Sequence, residues 1–191
     1  KVEKRTAALE EANKKLALIA TMDSLTGVRN RKYLDEVFHS ECKRAQRHRT
    51  ALSVILLDVD KFTAINEEYG NVIGDRCLIA LARQLKKSSN RASDVISRYG
   101  NEAFCILLPN THEQAASELA DTILRNVGLM TCNVNSFAVK FTVSIGVASA
   151  IPATVADGFH LIDQADKAMR RSKSDGGNQS TLWTSMRPAI S

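Results

Sequence analysis

Aromatic residues are scarce: tryptophan, tyrosine and phenylalanine make up 5% of the 191-residue chain. That scarcity excludes a stacking platform for single-stranded nucleic acid, which needs successive aromatic faces. Apolar runs are short as well. None reaches the roughly 18 residues of a membrane-spanning helix, and no signal peptide opens the chain. The four cysteines, Cys42, Cys77, Cys105 and Cys132, include no CxxC pair. A zinc site of the usual spacing and a secreted disulfide framework are thereby excluded. Reduced thiols in a cytoplasmic setting are the expectation, with Cys105 a small core residue inside an apolar run. Internal repeats, low-complexity tracts and a continuous basic stripe are also missing. The net charge of +5 is scattered over Lys4-Arg5, Lys14-Lys15, Arg44 to Arg49, Lys86-Lys87 and Arg170-Arg171. Such a surface suits small anionic partners better than nucleic acid, which is not expected as a partner.

What is present is a chain 44% hydrophobic and 25% charged, enough for one ordinary domain and an appendage. Val2, Leu9 and Leu16 recur every seven residues, with Ala12 and Ile19 three positions after two of them. This pattern predicts a short coiled-coil stalk over residues 1–21, a homodimer contact that joins an upstream sensory domain. A turn-rich segment, Thr21 to Arg31, follows, then a helix from Arg31 to Arg47. The apolar run Ala51 to Leu57 reads as a buried strand ending in Asp58-Val59-Asp60. Helical segments run on to about Leu85. Two strands, Asp94 to Ser97 and Glu102 to Leu108, flank Gly100-Asn101, a pair of the kind that closes two-residue hairpins. Further on come a helix from Glu113 to Val127, a strand from Ala138 to Ala148, a helix from Phe159 to Lys173 and a closing strand from Thr181 to Thr184. The domain is expected over 22–185, with 186–191 a tail.

Several blocks stand in a fixed order. Asp23-Ser24-Leu25-Thr26-Gly27 precedes Asn30-Arg31. Asp58-Val59-Asp60-Lys61-Phe62 precedes Ile65-Asn66, Tyr69-Gly70 and Gly74-Asp75. Arg98-Tyr99-Gly100 runs into Asn101-Glu102-Ala103-Phe104. Val143-Ser144-Ile145-Gly146-Val147 and Ala165-Asp166-Lys167-Ala168 follow. These ordered blocks, over about four fifths of the chain, resemble those of GGDEF domains, the diguanylate cyclase family of bacterial signalling.

The resemblance implies a palm-like α/β (α+β) fold with a mixed, largely antiparallel five-stranded sheet flanked by helices. It implies an activity, joining two GTP molecules into cyclic-di-GMP. Asp58, the Val59 carbonyl and Glu102 would hold Mg2+ whenever GTP binds. Asn66 and Asp75 would recognise guanine, Gly100 and Lys173 would meet phosphate, and Glu102 would carry what remains of catalysis. Arg91-Ala92-Ser93-Asp94 matches the R-x-x-D inhibitory site, or I-site, where many relatives bind cyclic-di-GMP, roughly 17 Å along the strand from the turn. Arg125 is a further candidate phosphate contact.

The chain departs from the family pattern at four positions. Asn101 replaces a glycine and Ala103 a glutamate of the signature, while Thr63 stands for a lysine and Gly177 for an arginine. Charge-assisted contacts to phosphate are worth about 1.5–3 kcal/mol each, so losing two weakens GTP binding on the order of a hundredfold. A receptor or regulatory module with an impaired active site is therefore expected. An active or weak cyclase and a GTP-binding or dimerisation module are the alternatives.

Overall fold

The computed structural model describes residue 6 and residues 20–186. The heptad positions Val2, Leu9, Ala12, Leu16 and Ile19 lie outside the described residues, as do residues 187–191 of the expected tail.

Helix α1 (Arg31–His48) starts where the Asn30 side chain accepts the Tyr33 amide and ends where Arg49 turns left-handed at φ 53°. Strand β1 (Leu52–Val59) is covered on both sides, so it reads as an apolar run instead of alternating. Helices α2 (Phe62–Tyr69) and α3 (Asn71–Ser88) follow, separated only by Gly70. Then come β2 (Val95–Arg98), β3 (Ala103–Pro109) and α4 (Glu113–Leu129), which runs past Val127.

The predicted strand Ala138 to Ala148 is broken in two. Its first part, β5 (Phe137–Val139), pairs with β4 (Cys132–Val134) in a small separate hairpin turned by Asn135 at φ 54°. Only the second part, β6 (Val143–Ala150), enters the main sheet. Helix α5 (Val155–Ser174) begins four residues before the expected Phe159, because Thr154 and Asp157 form a reciprocal capping box. The closing strand β7 is Ser180–Leu182, and the chain turns into a 3-10 segment at Trp183–Met186.

The main sheet has the order β2-β3-β1-β6-β7. All neighbours are antiparallel except β6 and β7. The expected mixed, largely antiparallel five-stranded sheet is therefore observed. One face packs α2, α3 and α4 around Ile55, Leu57, Phe104 and Ile106. The other packs α1 and α5 around Leu52, Leu56, Cys105 and Leu107. Full burial of such side chains supplies about 1.5–3 kcal/mol each.

Helix α5 lies directly on β6 at Gly146. A Cβ there would stand 2.1 Å from the Ala165 carbonyl oxygen and 2.2 Å from the Met169 nitrogen. Only glycine permits that approach, which carries Lys173, one turn past Met169, to the end of β1. Among the described residues, no helix is long and apolar enough to cross a membrane.

Candidate functional site

Antiparallel pairing decides what faces what at the end of β1. Asp58 stands opposite Ala103 on β3 and Ser144 on β6. The Val59 amide donates to the Glu102 carbonyl at 3.3 Å, so Glu102 is tied to the strand end beside Asp58. Lys173 Nζ lies 2.8 Å from Asp58 Oδ1. Burial raises the Asp58 carboxyl above its ordinary value; Lys173 offsets part of this, and the nearby Glu102 and Asp60 carboxylates add to it.

Asp60 is committed elsewhere. It accepts from Thr142 Oγ1 and Ser144 Oγ at 2.6 Å each and from the Asn178 amide at 2.8 Å, stapling the loop after α5 to the sheet. Asp58, Glu102 and the Val59 carbonyl offer only oxygen donors, the hard set that magnesium prefers. The crowding of carboxylates that helps to raise Asp58 is also what a divalent cation relieves.

The signature turn is not the two-residue hairpin expected from Gly100-Asn101. Strand β2 stops at Arg98 and β3 starts at Ala103, leaving a four-residue connection, and Glu102 lies in it rather than in β3. Neither Gly100 nor Asn101 has a positive φ, so the left-handed tolerance of asparagine is not used. The Tyr99 and Gly100 amides close the loop by donating to the Ala103 carbonyl at 2.8 and 3.2 Å, and side chains brace it. Arg98 Nε donates to the Gly100 and Asn101 carbonyls at 3.2 Å each, and Arg98 Nη1 lies 3.3 Å from Asp23 Oδ1. Arg31 stacks on the Tyr99 ring at 3.8 Å. Arg98 and Asp23 were legible only as parts of motifs. Their pairing across 75 positions carried no local signal.

Asn66 on α2 points its Oδ1 into the protein, where that atom is buried and meets no hydrogen-bond partner. A Cβ at Gly74 on α3 would come within 1.8 Å of this oxygen, so the glycine makes room for the amide. Asp75 follows directly and is exposed. The two expected guanine-recognising residues are thus brought to one place. Thr63, exposed on the first turn of α2, offers no charge. Gly177 turns at φ +76°, and a Cβ there would stand 3.1 Å from the Asp60 carboxylate.

A second region lies beyond α3. Arg91 and Asp94 line an open cleft of about 150 Å³ with Ser89, Thr111 and Leu119. Arg91 Nη1 donates to Thr111 Oγ1 at 3.3 Å and forms no ion pair among the described residues. Asp94 accepts from Ser89 Oγ at 2.7 Å. Arg125 is exposed on α4 and does not line this cleft.

Comparison with known proteins agrees with this architecture. The family described as "Diguanylate cyclase, GGDEF domain" matches residues 20–179. The probable diguanylate cyclase DgcC of Escherichia coli (strain K12) is 31% identical over 175 residues, 91% of this chain and 46% of that protein. Diguanylate cyclase DgcM of the same strain is 37% identical over 161 residues, 82% of this chain and 37% of that protein. The chain spans about half or less of the length of these relatives. Among solved structures, the coiled coil and GGDEF domain of DgcB from Caulobacter crescentus in complex with c-di-GMP superimposes with a TM-score of 0.87 at 26% identity, covering 95% of each chain. The diguanylate cyclase SiaD from Pseudomonas aeruginosa, solved with its activator SiaC, gives 0.80 at 30% identity over 95% of this chain and 68% of that one. A shared signature order, a shared sheet and a family match across most of its length leave one assignment: the chain is a member of the GGDEF, or diguanylate cyclase, domain family.

Proposed function

We propose that this domain works as a regulatory module of cyclic-di-GMP signalling: it binds cyclic-di-GMP at Arg91 and Asp94, and its own cyclase site is impaired. The observation that carries the reading is Ala103. It occupies a buried position directly across the sheet from Asp58, where the family pattern has a carboxylate. No side chain at that position can take a proton or hold a cation, and general acid–base groups contribute about 10²–10⁴-fold to such reactions.

The cations are depleted too. Thr63 and Gly177 leave Lys173 to face phosphate, and Lys173 is already engaged by Asp58. Joining two GTP molecules relies on positioning and charge neutralisation. Mg2+ would be held by Asp58, Glu102 and the Val59 carbonyl, and when bound it supplies charge neutralisation at the phosphates. Asn66 and Asp75 would orient the guanine, Gly100 would pass its backbone close to phosphate, and Lys173 would release Asp58 to reach the same charge. These residues keep binding and orientation while the proton-handling group is gone.

The dinucleotide region has the opposite character. Arg91, without an ion pair among the described residues, presents a planar fork suited to phosphate or a guanine edge, and Asp94 would accept from ring nitrogens. A dimer through residues 1–21 and an upstream sensory domain would carry the signal.

Calorimetry with cyclic-di-GMP and, separately, with magnesium-GTP tests the proposal. Dinucleotide binding that Arg91→Ala abolishes supports it. Robust formation of cyclic-di-GMP from GTP by the purified protein, or no affinity for the dinucleotide, refutes it. A weak cyclase or GTP sensor is the second reading, favoured by the orphaned Asn66 oxygen in its prepared recess. Tight GTP binding without dinucleotide binding would select it.

A further inference from the structure

Several surface cations of this chain are matched by a carboxylate one helical turn away: Arg31 by Asp35, Lys167 by Asp163, Arg170 by Asp166 and Arg171 by Asp175. Arg29 and Lys86 are held differently. Arg29 Nη1 donates to Thr21 Oγ1 at 2.9 Å, and its guanidinium carbon stands 4.3 Å from the centroid of the Tyr33 ring. Lys86 Nζ donates to the Gly27 carbonyl at 2.6 Å. Thr21, Tyr33 and the Gly27 carbonyl are all neutral, and neither cation has an ion pair among the described residues. Each charge is therefore fixed in place without being neutralised. A guanidinium carries five N–H groups and an ammonium three, so donors remain on both.

The two cations line one cleft of about 280 Å³ between the loop of residues 22–29 and strand β2. Val28, Val95 and Ile96 give it an apolar wall. Asp94 lines it too, but Asp94 Oδ2 accepts at 2.7 Å from Ser89, a residue of the Arg91 cleft and not of this one. That carboxylate is thus engaged on the far side. The volume lies just below the roughly 300–1,000 Å³ of drug-sized ligand sites, which suits a small metabolite.

We propose that the Arg29–Lys86 cleft binds a small phosphate monoester, its ester group lying against Val28, Val95 and Ile96. A phosphate monoester has three terminal oxygens. The planar fork of Arg29 takes two of them and the point charge of Lys86 takes the third, whereas a phosphodiester has only two to offer. The site is separate from the dinucleotide site proposed at Arg91, since Arg91 does not line this cleft. The loop that it touches also carries Asp23, which lies 3.3 Å from Arg98 at the signature turn. An occupied cleft therefore ties to β2 a segment that reaches that turn.

Phenyl phosphate is the probe, titrated into the full chain in phosphate-free buffer and followed by amide NMR and calorimetry. Expected is saturable binding, with shifts concentrated at residues 27–29 and 95–96. Inorganic phosphate and phenol, each lacking one half of the probe, should bind more weakly. Lys86→Met should weaken phenyl phosphate roughly 10- to 150-fold, the loss of one charge-assisted contact, and Lys86→Arg should restore most of it. Arg91→Ala should leave this affinity unchanged. Lys86 is exposed, so its variants should keep the parent's circular dichroism; Arg29→Gln is a second variant with the same expected direction. No saturable binding at millimolar phenyl phosphate, equal affinity for inorganic phosphate, indifference to Lys86→Met, or shifts centred on Arg91 or Lys173 would overturn the proposal. Unchanged hydrogen exchange over residues 22–29 in the saturated protein would overturn the tie between loop and strand.

Discussion

Gly74→Ala separates folding from ligand recognition. Gly74 lies in the first turn and a half of α3 with ordinary helical backbone, so alanine should stabilise the helix by about 0.8–1.0 kcal/mol on propensity alone. The new Cβ, however, would meet Asn66 Oδ1 at 1.8 Å, Asn66 Cγ at 3.0 Å and Phe62 Cζ at 3.2 Å. The worst clash is with the tip of a side chain that can rotate away, at about 0.5–1.5 kcal/mol for leaving its rotamer. The two effects nearly cancel, and stability in urea should change by less than about 1 kcal/mol. Recognition should not survive. An amide rotated out of the recess would lose the hydrogen bond proposed for it with guanine, which at about 1–3 kcal/mol should weaken magnesium-GTP binding roughly 5- to 150-fold.

A double-mutant cycle sharpens this expectation. In an Asn66→Ala background the principal clash is gone, so Gly74→Ala should stabilise by up to about 1 kcal/mol, and chemical denaturation of the four proteins reads the coupling. Equal effects of Gly74→Ala in both backgrounds would refute the assignment of Gly74 as the residue that seats Asn66. So would unaltered nucleotide affinity in the single variant.

Asp58→Asn should raise the melting temperature at neutral pH, because the carboxyl of Asp58 is held above its ordinary value and its charge is a cost to the fold. The contribution of the protonated form is present below the unfolded value and lost as pH rises through the folded one, so the gain over wild type should shrink in acid. Calorimetry across that range checks the sign. Asp23 shifts the other way: burial alone would raise its carboxyl, but the Thr26 hydroxyl and amide and Arg98 bring it below the ordinary value. Asp23→Ala should therefore cost about 1–2 kcal/mol at neutral pH, and the difference should close as pH falls through the folded value, read by urea titration. Ala103→Glu should lower the melting temperature at neutral pH by several degrees, on the order of 1 kcal/mol, because the new carboxylate faces Asp58 across the sheet. Differential scanning fluorimetry should show the penalty fading in acid and on adding magnesium.

Much of the fold could be read from residue order. The apolar run before Asp58 and the helices beginning at Arg31 and Glu113 each depend on near neighbours, and each element appeared where expected. The failures were tertiary or stereochemical. The stretch from Ala138 to Ala148 alternates without interruption, yet Phe137–Val139 turned out to pair with Cys132–Val134, and a short hairpin leaves little trace in periodicity. The start of α5 is fixed by the capping box of Thr154 and Asp157, polar side chains that apolar periodicity does not register. At the site, the resemblance to the GGDEF family brought out Asp58, Asn66, Asp75 and Lys173 as a set. They did not announce that Lys173 would be engaged by Asp58, that Asp60 would be consumed by Thr142, Ser144 and Asn178, or that Arg98 would hold the turn. Those facts depend on which atoms meet after the helices close on the sheet.

The backbone of the signature turn is gripped through its carbonyls, and carbonyls are the same whatever side chain they belong to. Residues 100 and 101 can therefore drift without the domain noticing, since neither needs a glycine to keep its path. A library randomised at those two positions and sorted for soluble expression should return almost every variant. The same library sorted for retention on immobilised nucleotide would measure ligand contact with almost no background from misfolding.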